Sequence, residues 1–170
     1  MTARPVTVCF ADMVGFTALG ERVPPAELAS AARRLTELAL QAGPAPVTLV
    51  KTLGDAVMLV SPEPAPLVYA ALRLAARVQE LDEGMPPLRV GIAAGDAVHD
   101  AGDWFGHPVN LASRVTGLAR PASVLVTQPV RDALPDAFRW SFAGRHRLKG
   151  VRDEVSLYRA RVPAPVAVAA

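Results

Sequence analysis

Hydrophobic residues recur along this chain in two patterns, at every second position in some segments and at every third or fourth position in others. The first pattern predicts β-strands, and Val6, Val8 and Phe10 show it clearly. The second pattern predicts helices with one apolar side. The predicted strands cover residues 5–11, 47–53, 56–60, 88–94, 123–127, 138–143 and 155–159. The predicted helices cover residues 24–41, 66–81, 109–118 and 128–134.

The order of these elements predicts the fold class. A strand, a helix, a hairpin, a second helix and another strand follow one another, and Gly54-Asp55 forms the hairpin turn. This order is typical of the ferredoxin-like, split βαβ fold. We predict an α+β domain over residues 1–162 with a mainly antiparallel sheet, helices on one face and extra C-terminal strands. Residues 95–106 are predicted to form a loop or small arm, and residues 163–170 a Pro/Ala/Val-rich tail.

Composition narrows the class of protein. Hydrophobic residues make up 51% of the 170 residues and charged residues 20%, as in globular domains. A net charge of +2 is too small to indicate a nucleic-acid partner. Cys9 is the one cysteine, so an internal disulfide is excluded and a reducing compartment is favoured. No apolar run is long enough to span a bilayer and no signal sequence precedes the first strand, so we expect a cytoplasmic protein without a membrane partner.

Two aspartates stand at the ends of predicted strands. Asp12 follows the first strand, and Asp55 lies at the hairpin tip. The first strand of a ferredoxin-like fold is central and lies beside the hairpin, so the two carboxylates can converge. Carboxylate oxygens without a nearby histidine or cysteine suit Mg²⁺ or Mn²⁺ rather than zinc. Taken singly, each aspartate is better explained as an ordinary turn residue.

The other candidates are polar or charged residues in three further segments. Asn110 and Arg114 are four positions apart on a predicted helix and therefore share a face. A solvated surface position is the ordinary alternative for each residue of this group. The group consists of Lys51, Asp103, Asn110, Arg114 and Lys149.

Three segments together resemble one protein family. They read FADMVGFT at residues 10–17, KTLGDAV at residues 51–57 and VNLASR at residues 109–114. These strings resemble the class III nucleotide cyclases, and the resemblance extends from about Val6 to Tyr158. It implies an adenylate cyclase that converts ATP to 3′,5′-cyclic AMP and pyrophosphate. It also implies two Mg²⁺ or Mn²⁺ ions per site and a homodimer with two sites at its interface.

The resemblance assigns the residues that hold metal and phosphate. Both metal ions would be bound by Asp12, Asp55 and the backbone of Met13. The turn after Asp12 would bind the β- and γ-phosphates through backbone N–H groups, for which Gly15 provides a tight turn. The residues of this phosphate-binding turn are Val14, Gly15, Phe16 and Thr17.

The resemblance assigns the remaining residues to the base, the ribose and the other phosphates. Lys51 would donate to adenine N1, which accepts a hydrogen bond whereas guanine N1 carries a proton. Asp103 would accept from the adenine 6-amino group. Asn110 would orient the ribose, Arg114 would stabilise charge on the α-phosphate, and Lys149 would contact the terminal phosphates.

Two features of the sequence leave alternatives open. Asp96 and Asp100 lie in the same polar segment as Asp103 and compete with it for the base-reading role. A nucleotide-binding regulatory module without turnover is an alternative function, although no metal or transition-state residue of the family pattern is missing. A nucleic-acid-binding ferredoxin-like domain could use the basic residues 145–152, but its strands lack the aromatic pairs that stack bases.

Overall fold

Eight strands and five helices make up the described part of this computed structural model, which comprises residues 2–81 and 84–163. Residues 82 and 83, and residues 164–170 of the predicted tail, lie outside the described residues. The elements are β1 (Arg4–Met13), α1 (Phe16–Gly20), α2 (Pro25–Ala42), β2 (Thr48–Thr52), β3 (Ala56–Ser61), α3 (Pro64–Glu80), β4 (Leu88–Asp100), β5 (Asp103–Phe105), α4 (His107–Leu118), β6 (Ser123–Thr127), α5 (Gln128–Ala133), β7 (Arg139–His146) and β8 (Val155–Arg161).

The strands form a single sheet in the order β2-β3-β1-β4-β6-β8-β7, with β5 paired to β4. Strands β4 and β6 run parallel, and the other neighbouring strands of the described chain are antiparallel. The first four strands in the order β2-β3-β1-β4, with a helix before β2 and another before β4, form the split βαβ arrangement. The predicted α+β class, mainly antiparallel sheet and extra C-terminal strands are therefore confirmed.

Helices cover both faces of the sheet. Helices α2, α3 and α5 share one apolar core with β1 residues Cys9 and Ala11. Helix α4 shares a second core with Val8 and Phe10, on the opposite face. The prediction of helices on one face is therefore wrong for α4. Both sets of alternating side chains in β1 are apolar, so both faces of the sheet have to be covered.

The segment predicted as a loop or small arm is an arm. Strand β4 continues to Asp100 and turns at Ala101 and Gly102, which have φ angles of 47° and 81°. Strand β5 then pairs back along it, with Val98 opposite Phe105. The short helix α1 was not predicted from the sequence. Among the described residues, no helix combines the length and apolar character needed to cross a bilayer.

Candidate functional site

The end of β1 brings Asp12 and Asp55 to the same edge of the sheet. Asp12 lies opposite Ala56 in the β1–β3 ladder. The backbone N–H of Met13 donates to the carbonyl oxygen of Asp55 at 3.0 Å. Gly54, with a φ of 67°, allows the tight turn that places Asp55 there. The convergence expected from the sequence order is thus present in the backbone.

Arg89 lies beside these two aspartates and was not identified from the sequence. It faces Asp12 across the β1–β4 ladder. Its Nε donates to Asp12 Oδ1 at 2.5 Å and its Nη2 donates to Asp12 Oδ2 at 3.1 Å. The hydrogen bond to Asp12 raises the pKa of Arg89, against the effect of burial and with further help from the charges of Asp12 and Asp55. The available signal was an arginine inside the apolar strand sequence LRVGIA.

The donor atoms at this edge fit a hard divalent ion. Carboxylate and backbone carbonyl oxygens are the ligands that Mg²⁺ takes in phosphoryl-transfer sites, together with substrate oxygens. The described residues contain no group of three or more His, Cys, Asp or Glu side chains that could hold a metal. Ligands beyond Asp12 and Asp55 would therefore come from the backbone, as at Met13, or from the substrate.

The turn after Asp12 leads directly into a helix. Gly15 has φ 73° and ψ 20°, a left-handed conformation that favours glycine, and α1 begins at Phe16. The amide of Val14 donates to the carbonyl oxygen of Pro87 at 2.9 Å, which ties the turn to the start of β4. The first N–H groups of a helix have no acceptor within it. The amides of Phe16 and Thr17 therefore suit an external anion.

Lys51 and Asp103 form an ion pair although 52 residues separate them in the chain. Lys51 Nζ lies 2.5 Å from Asp103 Oδ2, and the Trp104 amide donates to Asp103 Oδ1 at 2.8 Å. The bond from Lys51, and then that from Trp104, lowers the pKa of Asp103. Asp96 and Asp100 lie exposed on β4, so Asp103 is the aspartate of this segment that meets Lys51.

Asn110 and Arg114 lie on the exposed side of α4, whose other side is buried by residues such as Leu111 and Val115. Lys149 is exposed in the turn between β7 and β8. Among the described residues, no side-chain hydrogen bond or ion pair joins these three residues to the two pairs above. The described chain thus forms two separate ion pairs, Arg89–Asp12 and Lys51–Asp103, and the two α4 residues bond to neither.

Comparison with known proteins identifies the family. Residues 2–160 match the family described as the adenylate and guanylate cyclase catalytic domain. The chain belongs to this family. The predicted relationship to the class III nucleotide cyclases is confirmed.

Two curated relatives are similar over most of this chain. A pH-sensitive adenylate cyclase of Mycobacterium tuberculosis (strain CDC 1551 / Oshkosh) is 56% identical over 164 residues, which are 94% of this chain and 41% of the relative. An adenylate cyclase of Streptomyces griseus is 43% identical over 127 residues, which are 74% of this chain and 32% of the relative. The chain therefore spans 41% or less of the length of these relatives.

Solved cyclase structures share the fold. An adenylyl cyclase from P. aeruginosa matches with a TM-score of 0.76 and 21% identity, over 96% of this chain and 97% of that one. The catalytic core of a rhodopsin-guanylyl cyclase with converted specificity, solved with ATPalphaS, matches with a TM-score of 0.83 and 20% identity, over 94% and 97% of the two chains.

Proposed function

We propose that this domain is an adenylate cyclase that converts ATP to 3′,5′-cyclic AMP and pyrophosphate. The observation that carries the proposal is the Lys51–Asp103 pair, which sets a donor beside an acceptor. Adenine offers an acceptor at N1 and a donor at its 6-amino group, whereas guanine reverses both. Lys51 has two further N–H donors and Asp103 has further lone pairs, so the pair can bind a base while intact. The adenylate cyclases among the relatives support the same base.

The reaction is an intramolecular displacement at the α-phosphate. The ribose 3′-oxygen forms a bond to the α-phosphorus, the bond to pyrophosphate breaks, and the 3′-hydroxyl proton is released. Two Mg²⁺ or Mn²⁺ ions, when bound by Asp12, Asp55 and the Met13 backbone, would supply positive charge at the attacking and leaving oxygens. This oxygen-rich edge of the sheet supports that assignment.

The chain's own residues would orient the substrate and stabilise its charge. The amides of Gly15, Phe16 and Thr17 would hold the β- and γ-phosphates, while Val14, whose amide donates to Pro87, would fix the start of this turn. The planar guanidinium of Arg114 would stabilise the negative charge growing at the α-phosphate. Asn110 would orient the ribose, and Lys149 would contact the terminal phosphates.

A complete site would need two copies of the chain. The metal aspartates of one protomer would face the base, ribose and arginine residues of the other, in a two-fold homodimer with two equivalent sites. The exposed positions of Asn110 and Arg114, which have no bond to Asp12 among the described residues, support this arrangement. Neither a nucleic acid nor a membrane is proposed as a partner.

The preference for ATP over GTP tests the proposed function. With Mn²⁺, we expect the parent to form cyclic AMP from ATP and to discriminate against GTP. Lys51→Glu combined with Asp103→Gly should lower the ATP-over-GTP ratio of kcat/KM, since one lost base contact costs about 1–3 kcal/mol. Asp100→Gly, on the same arm but outside the ion pair, is the matched control and should keep the parent's ratio.

Two results would contradict this assignment. An unchanged ratio in the double variant would show that Lys51 and Asp103 do not read the base. A folded parent that forms no cyclic nucleotide from either substrate would favour a binding module without turnover.

Mixing two inactive variants tests the shared site. Asp12→Ala and Arg114→Ala should each be nearly inactive, because each lesion damages both sites of a homodimer. After random exchange, about half the dimers are mixed, with both lesions in one site and the other site intact, so activity should recover to about a quarter of the parent's. Native mass spectrometry would establish exchange. No recovery after demonstrated exchange would refute the two-protomer site.

A further inference from the structure

The Arg89–Asp12 pair engages both oxygens of a proposed metal ligand. The two bonds run from Nε to Oδ1 and from Nη2 to Oδ2, at 2.5 and 3.1 Å. The side chains are 38% and 22% exposed, so the pair is partly sheltered from solvent. The β1–β4 ladder places Arg89 directly opposite Asp12. The backbone of two neighbouring strands therefore sets this contact, and the contact does not depend on a mobile loop.

A guanidinium in this position opposes a divalent cation in two ways. It uses lone pairs of Asp12 that a metal ion would need, in a bidentate geometry that favours arginine over other cations. It also places a positive charge next to the site, and this charge repels a cation.

The same guanidinium has a second effect in the metal-free protein. Asp12 and Asp55 are two carboxylates at one sheet edge, and the Met13 amide donates to the backbone carbonyl oxygen of Asp55. Like charges at short range destabilise the folded state unless a counter-ion offsets them. Arg89 is the counter-ion that contacts Asp12 in the described structure.

We propose that Arg89 is a positioning residue that competes with the divalent ion for Asp12 and keeps metal affinity low while no nucleotide is bound. This inference rests on the proposed function, because it requires that Asp12 and Asp55 form the metal site. It predicts opposite effects of removing Arg89: tighter binding of metal, and a less stable fold without metal.

Mn²⁺ binding to the nucleotide-free protein tests the competition. Free Mn²⁺ is measured by electron paramagnetic resonance during titration of the parent, Arg89→Gln and Arg89→Lys. Arg89→Gln should bind Mn²⁺ about tenfold more tightly than the parent. In this variant no guanidinium occupies the Asp12 oxygens, so a larger fraction of the molecules can bind the ion. Arg89→Lys keeps the positive charge but cannot bond to both Asp12 oxygens in the bidentate way of arginine. Its Mn²⁺ affinity should therefore lie between those of the parent and Arg89→Gln.

A matched control separates the contact from a general charge effect. Arg120→Gln removes the same charge from an exposed position between α4 and β6. Strand β6 pairs with β4, the strand that carries Arg89. Its Mn²⁺ affinity should stay within about twofold of the parent's, since Arg120 is exposed to solvent and makes no bond to Asp12 among the described residues. Circular dichroism establishes that each variant is folded.

Thermal denaturation provides the second readout. Without metal, Arg89→Gln should melt at a lower temperature than the parent. Saturating Mn²⁺ should raise the melting temperature of Arg89→Gln more than that of the parent, because the tighter-binding protein gains more from the same ligand concentration.

The possible failures are distinguishable. Equal or weaker Mn²⁺ binding by Arg89→Gln, or equal tightening in Arg120→Gln, overturns the competition while leaving the metal site intact. Adding Asp12→Asn to Arg89→Gln should abolish the tight binding. If that double variant still binds Mn²⁺ as tightly as Arg89→Gln, Asp12 is not the ligand, and the metal assignment in the proposed function is itself wrong.

Discussion

At Gly91, strand β4 lies against the backbone of α4. A methyl group added there would lie 2.2 Å from the Thr116 nitrogen, 2.6 Å from the Thr116 hydroxyl and 2.7 Å from the Ala112 carbonyl oxygen. The Thr116 hydroxyl also lies 2.8 Å from the Ala112 carbonyl and 3.3 Å from the Phe10 carbonyl, so sheet and helix are bonded at this point. The substitution Gly91→Ala should therefore force the helix away from the sheet.

The cost follows from what the methyl group meets. Two of the three obstructing atoms belong to the helix backbone and cannot rotate aside, so α4 would have to shift by about 1 Å to reach ordinary contact distances. Overpacking of this kind costs about 3 kcal/mol, at the upper end of its usual range, and should lower the melting temperature by roughly 6–12 °C. Helix α4 carries Asn110 and Arg114, so a displacement of about 1 Å should also reduce kcat by about 100-fold.

The assay compares Gly91→Ala with the control Gly95→Ala by urea and thermal denaturation. The rate of cyclic AMP formation is measured for both variants and the parent. Gly95 lies on the same strand and its added methyl would meet Pro108 of the same helix at 3.5–3.6 Å, an ordinary contact. Gly95→Ala should stay within about 0.5 kcal/mol of the parent. A parent-like stability for Gly91→Ala, or an equal loss for Gly95→Ala, would refute the close packing of β4 and α4.

Two further predictions concern titratable groups. Lys51 and the Trp104 amide lower the pKa of Asp103 from its ordinary value of 3.8. The ionised Asp103 therefore stabilises the fold fully above pH 3.8, and this stabilisation is lost as the pH falls through the lowered pKa. The difference in the free energy of unfolding between the parent and Asp103→Asn should be constant near neutral pH and should become smaller in acid. A difference that grows in acid would contradict the ion pair. Burial raises the pKa of Cys9 to about 12. Its thiol should therefore resist a disulfide reagent at pH 8 and react fully in urea, whereas rapid labelling of the folded protein would show that β1 is accessible.

The elements and part of the site could be predicted from the sequence because their signals are local. Alternating apolar residues, helix-opening prolines and the Gly54-Asp55 turn act within a few residues of one another. They indicated β1, α2, α3 and the hairpin, and so the convergence of Asp12 with Asp55. The motif strings indicated the family in the same way, before any contact was known.

The tertiary structure decided what depends on register and on packing between distant segments. The arm pairing brings Asp103, and not Asp96 or Asp100, against Lys51. The β1–β4 register sets Arg89 on Asp12, a contact between positions 77 residues apart. The missing side chain of Gly91 lets α4 pack closely against the sheet face that was predicted to carry no helix. Such contacts arise only when separate elements are brought together, so no window of the sequence contains them.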